Sequence, residues 1–85
     1  MSQFEQFKDL LSREHSWPDQ YTFKFIIKKT EFELARSLFA EEELSIRESE
    51  SGKYVSLTLV KVMQSSEAVM AVYKKASVIP GLIAL

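Results

Sequence analysis

Cysteine and asparagine are absent from this 85-residue chain, histidine occurs once, and glycine and proline occur twice each. Without cysteine there is no disulfide framework, no thiolate metal site and no thiol nucleophile. A single histidine leaves little with which to build a metal centre, so no cofactor or metal is expected. No apolar run approaches the roughly 18 residues that cross a membrane. The opening Met1-Ser2-Gln3-Phe4-Glu5-Gln6 lacks the basic-then-apolar layout of a signal peptide, so the expected location is cytoplasmic, without membrane attachment. Neither sign of charge dominates: eleven Lys and Arg stand against twelve Asp and Glu, a net charge of −1. A surface for nucleic acid or anionic lipid would therefore have to be a local patch. With 46 % hydrophobic and 27 % charged residues the composition is that of a folded globular chain. At this length it holds one core, burying about 60–65 % of its unfolded surface.

What is present is periodicity. Phe4, Phe7, Leu10 and Leu11 recur at helical spacing between Ser2 and about Arg13, and Ser2 with Glu5 makes a capping-box pattern. Trp17-Pro18 ends that helix, because the residue before proline is pushed out of the α region. From Tyr21 the period becomes two, with Tyr21, Phe23, Phe25 and Ile27 on one side and Thr22, Lys24, Ile26 and Lys28 on the other. Thr30-Glu31-Phe32-Glu33 reads as a second capping box, opening a helix whose Phe32, Ala35, Leu38 and Phe39 share a stripe. Further on, Ser65 or Ser66 caps a helix that buries Val69, Val72, Tyr73 and Ala76, and Pro80-Gly81 turns the chain into a short final strand over 82–85.

Between these helices Leu44–Ser49 and Tyr54–Met63 read as a hairpin around Ser51-Gly52. A two-residue loop pairs Glu50 with Lys53, Glu48 with Val55, Ile46 with Leu57 and Leu44 with Leu59, placing the apolar pairs on one face. Ser49 with Tyr54, Arg47 with Ser56 and Ser45 with Thr58 then make the other face polar, and a one-residue slip would mix the two sets. The expected fold is α+β, a ferredoxin-like βαββαβ unit with a four-stranded antiparallel sheet and two helices on one face, plus an extra N-terminal amphipathic helix. Residues 1–16 form that helix and its linker, and residues 17–85 the ferredoxin-like domain.

Two segments resemble the YbeD-like family of small bacterial proteins of unknown function. Trp17-Pro18-Asp19-Gln20-Tyr21-Thr22-Phe23-Lys24-Phe25 is similar to its aromatic-Pro opening and first strand, and Ser49-Glu50-Ser51-Gly52-Lys53-Tyr54-Val55-Ser56-Leu57-Thr58 to its hairpin and third strand. Glu67, Val69 and Tyr73 match its last helix. The resemblance covers roughly residues 17–85. It implies a ferredoxin-like fold close to that of the amino-acid-sensing ACT domains, a regulatory or interaction role, and no known reaction. Where members carry a glycine near the end of the first strand this chain has Ile27-Lys28-Lys29, and many members lack the leading helix.

No catalytic constellation emerges. His15 with Ser12, Ser16 and Asp19 lies in a linker that offers neither a fixed base nor an oxyanion hole. Glu41-Glu42-Glu43 places its carboxylates in different directions around a helix end, which reads as a solvated terminus. Two other uses of this fold are excluded by the missing residue types, an acylphosphatase-type site by asparagine and a metal-chaperone site by Cys-x-x-Cys. Gly52-Lys53-Tyr54-Val55 echoes an RNA-recognition strand, but Ser56 and Thr58 follow where stacking aromatics would be needed.

The expectation is a non-enzymatic regulatory or protein-interaction module, with an ACT-like small-ligand sensor as the alternative and an RNA-binding domain as the second. Its candidate interaction patch is Thr22, Lys24, Arg47, Tyr54, Ser56 and Thr58, on a sheet face that also carries Ile26 and Val60; the alternative for that face is a plain solvated surface. Its candidate partner helix is Phe4, Phe7, Leu10 and Leu11, unless that stripe docks on its own domain. The expected occupant is an unidentified protein or a second copy in a weak homodimer.

Overall fold

The computed structural model describes residues 3–14 and 16–85. In chain order its elements are α1 (Gln3–Glu14), β1 (Asp19–Lys28), a 3₁₀ turn (Lys29–Glu31), α2 (Phe32–Leu38), β2 (Ser45–Glu48), β3 (Tyr54–Met63), α3 (Ser66–Ala76) and β4 (Ile83–Ala84). Among the described residues the fold is α+β, with three α-helices and one antiparallel sheet of four strands in the order β2-β3-β1-β4. None of the described helices is long and apolar enough to cross a membrane.

The centre of the sheet is the ten-residue pairing of β1 with β3, from Asp19 opposite Met63 to Lys28 opposite Tyr54. Along β1 burial alternates with the sequence: Phe23, Phe25 and Ile27 are buried, while Thr22, Lys24 and Lys28 are exposed. Val55, Leu57 and Leu59 alternate in the same way on β3. These side chains meet Ala35 and Phe39 from α2 and its C-cap, and Val69, Met70 and Ala76 from α3, in one core. Leu11 of α1 joins it with Phe7 packed at its margin, so the leading helix lies against the domain. An edge-on contact between Phe7 and Tyr73, 5.4 Å between ring centres, ties α1 to α3.

Local chemistry explains most element ends. The Ser65 hydroxyl accepts a hydrogen bond from the Ala68 backbone N–H at 3.1 Å and caps α3. The expected capping box at Thr30 does not form. β1 stays paired as far as Lys28, and the Lys29 N–H still bonds the Lys53 carbonyl, so the chain enters α2 through a 3₁₀ turn. Glu31 then occupies the N-cap, with no hydrogen bond from its side chain. At the N-terminus of α1 the Ser2 capping residue lies outside the described residues.

The hairpin keeps its expected register, Ser45 to Thr58, Ile46 to Leu57, Arg47 to Ser56 and Glu48 to Val55. Its loop differs. The Gly52 N–H bonds the Ser49 carbonyl and Gly52 sits at φ +74°, so Glu50–Lys53 form a wider connection and Glu50 and Lys53 are not a ladder pair. The left-handed geometry suits glycine, which has no Cβ to clash. Ile46 pairs with buried Leu57 yet is 49 % exposed, on the short edge strand β2 where a depression beside Arg36 and Phe39 leaves it open.

Candidate functional site

The sheet has one face turned to the core and one left open. Period two carries alternate residues of β1 and β3 onto the open side, and cross-strand pairing arranges them in rows. One row runs Arg47, Ser56, Ile26, Ile83, and the next holds Ser45, Thr58 and Lys24. Thr22 pairs with Val60, Gln20 with Val62, and Lys28 with Tyr54. The pairing thus brings Thr22, Lys24, Arg47, Tyr54, Ser56 and Thr58 onto one surface.

That surface is less polar than its sequence pattern suggests. Val60 is 50 % exposed, Val62 58 %, Ile83 52 % and Tyr54 44 %, and half-buried Ile26 lies between Ser56 and Ile83. At the hairpin end two shallow depressions meet at Tyr54. One, of about 470 Å³, is lined by Lys28, Lys29, Thr30, Gly52, Lys53 and Tyr54. The other, of about 440 Å³, is lined by Ile26, Arg47, Glu48, Glu50, Tyr54 and Ser56 among others. Lys29 and Glu48 form an ion pair at 2.6 Å on the rim.

Sequence reasoning set Lys28 on this side of its strand but left it out of the candidate patch, and it missed Val62 and Ile83. For Val62 the signal was present, since it continues the period-two pattern of its strand. Nothing local marks Ile83; only the pairing of β4 with β1 sets it beside Ile26.

The partner-helix candidates divide. Leu11 is 5 % exposed and Phe7 half-buried, both turned to the domain, whereas Leu10 is 51 % exposed. The Phe4 side chain lies outside the described residues, as do His15 and the Ser12 side chain. In the acidic run, Glu42 is held by Lys61 at 2.7 Å, while Glu41 and Glu43 are exposed.

Burial pushes the Tyr73 phenol well above its ordinary range, and a hydrogen bond to the Tyr21 hydroxyl at 2.9 Å adds to the effect. The Glu67 carboxyl is drawn below the usual range, first by its own backbone N–H in the opening turn of α3 and also by Lys8, 3.7 Å away. Tyr73 points into the core and Glu67 is exposed near α1. Both stand apart from the open face, which presents hydroxyl groups, cations and apolar surface.

The family described as Protein of unknown function (DUF493) matches residues 12–84, and it is the family to which the two sequence motifs point. No curated protein and no solved structure matches the chain.

Proposed function

The chain belongs to the DUF493 family, whose function is unknown, and on that premise we propose that it is a non-enzymatic regulatory or protein-interaction module of the cytoplasm. Its working surface is the open face of the sheet. The strand order and the shared core of α2, α3 and the sheet support reading the architecture as ferredoxin-like, with both helices on one face and the other free for a partner. The observation that carries the proposal is the half-exposure of Val60, Val62, Ile83 and Tyr54 on that free face. A merely solvated sheet face alternates to polar residues, whereas a docking surface keeps apolar ones among hydrogen-bonding groups. RNA binding is the weaker reading, because Phe23 and Phe25 are 0 % and 1 % exposed and leave Tyr54 to stack alone.

The test is the double variant Lys24→Glu with Ser56→Glu, compared with the wild type in affinity capture from lysate followed by mass spectrometry. Both positions lie on the open face, so melting should change by no more than about 1 kcal/mol in total. The proteins captured by the wild type should be lost from the folded variant. Retention of all of them would reduce the face to a solvated surface and end the proposal.

A further inference from the structure

The open face has a one-sided charge. Its strand positions carry Lys24, Lys28 and Arg47, and none is occupied by Asp or Glu. Lys53 adds a further cation in the depression beside Lys28 and Tyr54. Glu48 and Glu50 line the neighbouring depression, and Glu48 is already paired with Lys29. In a chain of net charge −1 this leaves the carboxylates concentrated elsewhere, on Glu31, Glu33, Glu41, Glu42, Glu43 and Glu67. An isologous dimer through this face would set cation against cation, so a second copy is the wrong occupant.

The backbone geometry narrows the choice further. A chain lying on the face of a sheet, rather than along its edge, finds no ladder partners, so it must satisfy its own N–H and C=O groups. A strand added at either edge, beside β2 or β4, would leave Val60 and Val62 on the face uncovered, whereas a helix laid across the face would cover them. Val62, Val60, Ile26 with Ile83, and Tyr54 follow one another along the strands over about 27 Å, the length of a helix of about 18 residues.

We propose that the open sheet face receives an acidic amphipathic helix of a partner protein, its apolar stripe on Val60, Val62, Ile26 and Ile83 and its carboxylates on Lys24, Lys28 and Arg47. This rests on the reading of the face as an interaction surface and adds the chemistry of the partner. The arrangement mirrors the covered side of the sheet, where α2 and α3 bury the other faces of β1 and β3.

The probe is a labelled 18-residue helical peptide with leucine on one stripe and glutamate flanking it, compared with the same peptide carrying glutamine or lysine in place of glutamate. Fluorescence anisotropy should show the glutamate peptide binding at least about tenfold tighter than the other two, with the difference shrinking as salt rises. Carbodiimide coupling should join its carboxylates to Lys24 and Lys28 and not to Lys74 or Lys75. In the variant Lys24→Glu with Arg47→Glu the preference should reverse toward the lysine peptide. The neutral pair Lys24→Gln with Arg47→Gln, tolerable at surface positions, should abolish the preference. Equal binding of the three peptides, no binding of the glutamate peptide, or stronger binding of oligouridylate or of anionic phospholipid vesicles would overturn the inference. If the glutamate peptide fails while the Lys24→Glu, Ser56→Glu variant still loses its captured proteins, the face is an interaction surface with a different partner chemistry. If both fail, neither reading stands.

Discussion

Tyr73 ties α1, β1 and α3 together. Its ring stands edge-on to Phe7, Phe23 and Phe25, at 5.4, 5.3 and 5.9 Å, and its hydroxyl bonds that of Tyr21 at 2.9 Å. Edge-to-face packing places positive ring edges on negative ring faces, and the paired hydroxyls keep two polar groups satisfied beside an aromatic core. Replacing Tyr73 by Phe keeps the packing and removes one hydrogen bond, so urea unfolding at neutral pH should show a loss of about 0.5–1.5 kcal/mol. The pH dependence is a sharper test. Because burial raises the Tyr73 pKa in the folded state, the folded protein holds the proton that the unfolded chain releases above the ordinary phenol value of about 10. That contribution is complete below pH about 10 and declines as pH rises toward the folded value. The gap between wild type and Tyr73→Phe should therefore narrow between pH 9 and 11, and a constant gap would contradict the burial of this hydroxyl.

At the scale of elements, α1 shows how neighbouring residues of one type can have opposite fates. Leu11 reaches the core at 5 % exposure, and Leu10, one position earlier, is 51 % exposed. The helix is further steadied by Lys8 near Glu67, a solvent-screened pair that orients more than it stabilises. Leu11→Ala should cost about 2–5 kcal/mol, the range for emptying a buried leucine site, whereas Leu10→Ala should stay within about 0.5 kcal/mol. Thermal or denaturant unfolding of the two variants decides this. Equal small effects would mean that α1 is loosely attached in solution and free to serve a partner.

For the whole molecule the relevant asymmetry is that one side of the sheet is covered and the other bare. The extents of 38 × 27 × 22 Å and a Cα radius of gyration of 13.4 Å describe a slightly elongated body. With Lys24, Lys28 and Arg47 gathered on the open face, two copies meeting through it would repel at low salt. Small-angle scattering at low ionic strength should accordingly return the mass of a monomer, with a radius of gyration somewhat above the Cα value of 13.4 Å because side chains and hydration add to it. A concentration-dependent rise that Lys24→Glu abolishes would instead identify the face as a homodimer surface.

The sequence by itself determined the faces of the long strands, because period two along Tyr21–Lys28 and Tyr54–Met63 separates core from exterior wherever one face is buried. It also determined the hairpin register, since only one alignment keeps Ile46 with Leu57 and Arg47 with Ser56, and that a serine caps α3, while the choice of Ser65 over Ser66 came from the structure. Other features required the tertiary structure. Thr30 has the chemistry of a cap but falls in a 3₁₀ turn, because the long-range pairing of Lys28 with Tyr54 dictates how the chain leaves β1. The stripe on α1 suits its own domain and a partner equally well, and the contact of Leu11 and Phe7 with the core exists only once α3 is in place. The apolar character of the open face depends likewise on β4 settling against β1, which brings Ile83 beside Ile26. Local spacing encodes which side of an element is apolar; what covers that side is decided by segments distant in the chain, through packing that no local pattern contains.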